Sequence, residues 1–138
     1  MRILTIGAAM RDEFISYSEC KTISLDEDGI SQPYILLKEG QKTEIEALSF
    51  AVGGGALNSA LSFKQQGFES VSVCAKTGSD LERGFIIETL EKADIDYSHI
   101  AQTTKEKTGT SIILPSPSGD RGILVYRGAN LFLEQNDT

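Results

Sequence analysis

The sequence predicts an α/β layer fold with a β-rich flap inserted after its first strand. Three observations carry that reading. The chain opens on a short β-rich run at 2–7 that closes on glycine. The next forty residues keep β-formers and turn signals. Helical spacing of apolar residues starts only after Gly53-Gly54-Gly55 and returns after Ser79. Strand, β insert, helix, strand, helix and hairpin, in that order, make an alternating α/β pattern.

The elements follow in chain order. Residues 2–7 form a buried strand. Residues 14–25 hold β-formers in partial alternation, and Asp26-Glu27-Asp28-Gly29 gives a turn. Two more strands are expected at 34–37 and 43–52, with Lys38-Glu39-Gly40-Gln41 between them. From Ala56 a helix places Ala56, Leu57, Ala60, Leu61 and Phe63 on one broad face, and Gly67 stands where such a helix stops. Residues 71–75 make the next buried strand. Ser79 and Glu82 have capping-box spacing, so a helix is expected over 82–93, with Phe85, Ile86, Leu90 and Ala93 facing inward. A short strand or connection covers 95–100. Strands at 110–114 and 122–126 flank a Pro/Ser/Gly hairpin loop, Gly128-Ala129-Asn130 ends that unit, and the last eight residues read as frayed. There is no internal repeat.

A length of 138 residues fits one domain with a real core. The 13 basic and 20 acidic residues give a net charge of −7, with no basic stripe. This argues against a nucleic-acid partner, which would demand clustered cations to displace phosphate counterions. It leaves a nucleotide ligand open, because backbone N–H groups can meet phosphate charge. No apolar run approaches a membrane span, and the N-terminal run is too short and too soon charged for a signal peptide. Cys20 and Cys74 match no zinc or redox spacing and read as ordinary thiols of a cytoplasmic protein.

Chemistry has few places to sit. The triple glycine lets backbone approach a ligand closely and lies where a helix begins, with free N–H groups to offer. Asn58 follows in the first turn, and its amide both donates and accepts. A plain strand-to-helix turn would explain the glycines equally well. Asp12 stands just past the first strand, on the side where open α/β sheets bind ligands. Its carboxylate could grip a diol, though alone it reads sooner as a solvated loop residue between Arg11 and Glu13. Arg127 ends a strand beside Gly128 and alone reads as surface charge. His99 is the only histidine and has no metal or triad partner in the sequence. There is no Walker A motif, no three-glycine dinucleotide fingerprint, no Gly-x-Ser-x-Gly elbow and no metal-ligand spacing.

Four stretches taken together carry a resemblance. I-G-A-A-M-R-D at 6–12, G-G-G-A-L-N at 53–58, T-G-S-D at 77–80, and G-T-S-I-I-L with Y-R-G-A-N at 109–114 and 126–130 occur in that order. Each is weak; the ordered set resembles the N-terminal part of the ribokinase-like carbohydrate kinases of the PfkB family. The resemblance implies a ribokinase-like α/β/α sandwich whose β-sheet lid is built from about 13–52 and 110–127. It implies that Asp12, Gly53, Gly54 and Asn58 bind the hydroxyls of a sugar or nucleoside. By the same resemblance Arg127 contacts acidic sugars in some members. Gly55 stands where ribokinases carry lysine, which puts ribose itself in question, and the long insert is more like the lids of adenosine-kinase-like members.

The family's second signature, D-x-x-G-A-G-D, does not occur in these residues. In the family it supplies the catalytic base and an anion hole, and ATP and Mg²⁺ bind mostly in that half. The expectation is an ATP-dependent kinase part that is inactive alone and forms a homodimer through its lid. The competing readings are a non-catalytic ligand-binding or dimerisation module of the same fold, and a dinucleotide-dependent oxidoreductase half, which the missing fingerprint disfavours.

Overall fold

The computed structural model describes residues 1–137. Its centre is a three-stranded parallel sheet of β1 (Arg2–Ile6), β6 (Ser70–Gly78) and β7 (Asp96–Thr103), in the order β1-β6-β7. Two helices, α1 (Gly55–Gln65) and α2 (Leu81–Lys92), connect these strands and cover one face of the sheet. Between sheet and helices lies the core: Leu57 and Ala60 of α1, Ile86 and Leu90 of α2, and Val71, Val73 and Ala75 of β6. The leucine, isoleucine and valine side chains among them contribute about 1.5–3 kcal/mol each when fully buried. On the opposite face Leu4 and Ile6 stay exposed, so β1, expected as a buried strand, is buried only at Thr5, because the described residues cover one side of the sheet. The described residues therefore supply the sheet and one helical layer of the expected sandwich.

Both helices stop by the same device. At the end of α1 the N–H of Gly67 donates to the Lys64 carbonyl and that of Phe68 to the Phe63 carbonyl, while the two phenylalanine rings meet edge to face at 5.6 Å. At the end of α2 the N–H of Asp94 donates to Glu91 and that of Ile95 to Leu90, with Ile95 and Leu90 both buried. These are Schellman closures with their apolar contact. Asp94 takes the left-handed position with φ of 53°.

The remaining strands form β sheets outside this core. The strand β2 (Met10–Ser16) pairs antiparallel with β5 (Ala47–Gly53) and parallel with β8 (Gly109–Pro115), and β8 pairs antiparallel with β9 (Arg121–Tyr126), giving the order β5-β2-β8-β9. A separate hairpin joins β3 (Lys21–Glu27) to β4 (Ile30–Leu36). No ladder hydrogen bonds join these strands to the parallel sheet.

Several local expectations are corrected. The single β run at 14–25 is two strands, because β2 belongs to the four-stranded sheet and ends at Ser16 before the chain turns into β3. Ser79 does not cap α2: Asp80 does, accepting the N–H of Arg83 at 3.2 Å, since a carboxylate one position later reaches the same first-turn donors. Phe85 is not a core residue. It is 48% exposed, on the side of α2 that faces the four-stranded sheet. The segment after Asn130 is ordered as two short 3-10 helices, Gly128–Phe132 and Gln135–Asp137, the second tied down by the Lys76–Asp137 ion pair at 2.8 Å. Thr138 lies outside the described residues.

Candidate functional site

The site is built where the two sheets meet. The chain leaves β1, turns through Gly7, Ala8 and Ala9, and enters β2, which places Asp12 opposite Ala51 of β5 and Ser111 of β8. Asp12 is therefore a strand residue and not a loose loop carboxylate. The Ser111 hydroxyl donates to Asp12 Oδ1 at 2.6 Å, fixing the carboxylate. Ser111 is itself buried. The other oxygen, Oδ2, lies where Gly53 would carry a side chain: a Cβ there would stand 1.9 Å from it. Gly53 is thus the space that lets Asp12 take this position.

Gly54 is needed for a different reason. Its φ is 94°, in the region that favours glycine, and a Cβ on it would stand 2.3 Å from the Ala8 carbonyl oxygen. That same oxygen accepts the N–H of Ala56 at 3.2 Å. The β1–β2 turn and the start of α1 are therefore pressed together, and Gly54 forms the helix N-cap without any side-chain cap. Asn58 follows in the first turn. Its backbone N–H donates to Gly54 at 2.9 Å, and its side chain is exposed.

Of the five residues singled out in the sequence, Asp12 and Gly53 are in direct contact, and Gly54 and Asn58 share the start of α1. Arg127 is exposed after β9, and no hydrogen bond joins its side chain to the other four. What the chain uses of Arg127 is its carbonyl, which accepts both the backbone N–H and the side-chain amide of Asn130.

Asn130 is the residue that sequence reasoning passed over. Its Oδ1 accepts the Ala9 N–H at 2.8 Å and its Nδ2 donates to the Ala9 carbonyl at 3.0 Å. One side chain thus mimics a neighbouring strand and holds the turn that leads to Asp12. The signal was present in Y-R-G-A-N, but spacing alone gives no hint of a partner 121 residues away. Ser111 was equally silent, as one hydroxyl in a β run.

The T-G-S-D stretch proves architectural. Asp80 accepts from the Arg83 N–H, from the Thr108 N–H at 2.8 Å and from the Thr108 hydroxyl at 2.6 Å. Burial alone would raise its pKa, but these hydrogen bonds outweigh it and hold the carboxyl below its ordinary value. Asp80 thereby ties the start of α2 to the residue that leads into β8.

A parallel sheet backed by helices, with a β sheet rooted beside a carboxylate and a glycine-led helix start, is the arrangement of the ribokinase fold. The chain belongs to the pfkB family of carbohydrate kinases, whose pattern it matches over residues 15–138. It is 32% identical to a ribokinase of Staphylococcus aureus over 99 residues, which is 71% of this chain and 32% of that protein. It is 30% identical to mouse ribokinase over 110 residues, 80% of this chain and 34% of that protein. The chain thus spans about a third of the length of these relatives. Among solved structures, the Arabidopsis thaliana ribokinase complexed with ribose and ATP superposes with a TM-score of 0.72 at 18% identity, over 94% of this chain and 36% of that one.

Proposed function

We propose that this chain is the acceptor-binding part of an ATP-dependent kinase that phosphorylates a hydroxyl of a sugar or nucleoside. The observation that carries the proposal is Asp12. Its carboxylate is fixed by Ser111, given room by Gly53, and placed beside the start of α1 that bears Asn58. A carboxylate held in this way accepts two hydroxyl hydrogen bonds in fixed geometry, and an exposed amide in the first helical turn can take a third. The kinase assignment is supported by family membership and by relatives named as ribokinases.

In this reading Asp12 and Asn58 hold the acceptor hydroxyls. Gly53 and Gly54 line the same site by letting backbone approach, and Arg127 stands at its rim for an acidic substituent. The strands at about 13–52 and 110–127 close over the substrate as a lid and exclude water. ATP supplies the phosphoryl group, with Mg²⁺ balancing its charge. The described residues offer no cluster of three His, Cys, Asp or Glu side chains suited to a metal ion, so no step is assigned to the metal or the nucleotide here. The base that removes the hydroxyl proton belongs to the family's D-x-x-G-A-G-D segment, which these residues lack, so the chain is inactive by itself.

The test is binding before turnover. Titration of the ¹⁵N-labelled chain with D-ribose and with adenosine should shift resonances of residues 10–13 and 53–58. Asp12→Ala should weaken that binding by about 1.5–3 kcal/mol, the loss of a charge-assisted hydrogen bond. Equal affinity in the variant removes Asp12 from the site, and ATP-dependent phosphorylation by the purified chain overturns its inactivity.

A second reading, a dimerisation module, has its own observation. The sheet β5-β2-β8-β9 leaves Leu48, Phe50, Ile123, Leu124, Val125 and Tyr126 exposed. Apolar strands of this kind invite a second copy, and a homodimer through the lid is compatible with either reading. Sedimentation equilibrium decides it: a monomer at high micromolar concentration ends this reading. No helix among the described residues is long and apolar enough to cross a membrane. The cytoplasm remains the compartment we propose, on the two free cysteines.

A further inference from the structure

Arg11 precedes Asp12 on β2 and, by strand alternation, points to the opposite face of the sheet. Its side chain is only 13% exposed. The guanidinium lies between two aromatic rings, 4.2 Å from the centre of Phe50 on β5 and 4.5 Å from that of Phe85 on α2. Nη1 donates to Glu82 Oε2 of α2 at 2.8 Å. Nε is buried without a hydrogen-bond partner, so the contacts that hold the group are the two rings and Glu82. Two of the three partners, Phe85 and Glu82, belong to the helical layer; Phe50 and Arg11 itself belong to the four-stranded sheet. No ladder bonds cross between the sheets.

We propose that Arg11 is a clasp that pins the root of the lid to α2 and thereby sets where the Asp12 carboxylate stands. A tilt of β2 and β5 away from α2 must pull a cation from between two rings and break an ion pair. Adjacent residues on one strand move together, so the same tilt displaces Asp12. Arginine suits the task because its flat guanidinium stacks on both faces while its fork reaches a carboxylate, which the point charge of lysine cannot do at once. Arg11 is in this sense a positioning residue. That role rests on the reading of Asp12 as a substrate ligand; the clasp itself does not.

The experiment is amide hydrogen exchange on the 138-residue chain, with the ¹³Cγ resonance of Asp12 as a local reporter. Arg11→Met keeps an unbranched stem between the rings and removes the cation. Amides of 10–16 and 47–53 should exchange about tenfold faster while those of β6 hold their rates, as expected for local opening. The Asp12 resonance should shift, and Arg11→Lys should recover part of both effects. Glu82→Gln should do less than Arg11→Met, since the stack survives. Uniform acceleration in both sheets makes Arg11 a general stabilising contact and overturns the clasp; unchanged exchange does so as well. Weaker D-ribose or adenosine binding by Arg11→Met at unaltered global stability supports the positioning role, whereas full affinity alongside fast local exchange removes it. The exchange pattern decides the clasp even if the chain binds neither ligand.

Discussion

The helical layer and the four-stranded sheet use apolar residues in opposite ways. Across β6 and the two helices, Val73, Leu57, Ile86 and Leu90 are wholly buried. In β9, Ile123, Leu124 and Val125 are about half exposed, although the strand is just as apolar. The first region is stabilised by what it covers. The second is held by pairing, by tethers such as Asn130 and Arg11, and by whatever comes to lie on it. The acceptor site proposed above lies at the seam between a fixed layer and a lightly anchored one, with Asp12 on the lightly anchored side.

The largest expected effect breaks the comparison most directly. Leu57→Ala removes a fully buried side chain from between α1 and the parallel sheet and should cost about 2–5 kcal/mol. Leu124→Ala, at 60% exposure, should change stability by no more than about 0.5 kcal/mol. Urea denaturation of the two variants checks both. Equal losses would mean that the four-stranded sheet is buried in solution, by a second copy or by itself, and the contrast between the regions would disappear.

Next in size is the joint between them. Asp80 accepts the N–H of Thr108, a residue that is 1% exposed, and caps α2 as well. Asp80→Asn keeps the shape and can keep the cap, but its amide cannot accept from both the Thr108 N–H and the Thr108 hydroxyl as the carboxylate does. A buried donor left unpaired costs about 1–3 kcal/mol. The pH dependence has a definite sign. The folded-state pKa of Asp80 lies below its ordinary value, so its contribution is present above the unfolded pKa and fades as pH falls through the folded one. The gap between wild type and Asp80→Asn should therefore be full near pH 6 and shrink below about pH 4. A gap that widens in acid would remove the ionised carboxylate from the joint.

The same contrast explains what could be read in the sequence. The fixed layer was legible where burial imposes periodicity: the break at Gly53-Gly54-Gly55, the inner face of α1 and its stop at Gly67 follow from local pattern, whereas β1 reads as a buried strand and is buried only at Thr5. Asp12 and Gly53 were legible only through the ordered motifs, since their contact joins residues 41 positions apart. The outer strands were read less well. The run at 14–25 has β-formers throughout, and only the pairing partners of β2 decide that it ends at Ser16. Phe85 fits the edge of an inner helical face by spacing, yet Ile86 and Leu90 take the core side and Phe85 meets Arg11 instead. Asp80 and Ser79 are both good caps, and Thr108, 28 residues on, chooses between them. In each case the deciding partner is distant in the chain, and local pattern carries no record of it.

The smallest effect tests whether the fixed layer is as settled as its burial implies. Its two helices end alike, but α1 closes with Gly67 in the left-handed position and α2 with Asp94. A residue with a Cβ is strained there and glycine is not. Asp94 also accepts a hydrogen bond from Lys64 at 2.8 Å, but its side chain is 95% exposed, and such surface pairs contribute little. Asp94→Gly exchanges that weak pair for a relaxed backbone. The relief should win narrowly, raising Tm by about 1–3 °C for a domain of this size, with no change in hydrogen exchange over β2, β5 or β9. A fall in Tm would show that the Lys64 contact, which joins the ends of the two helices, holds the layer together more than the turn geometry does.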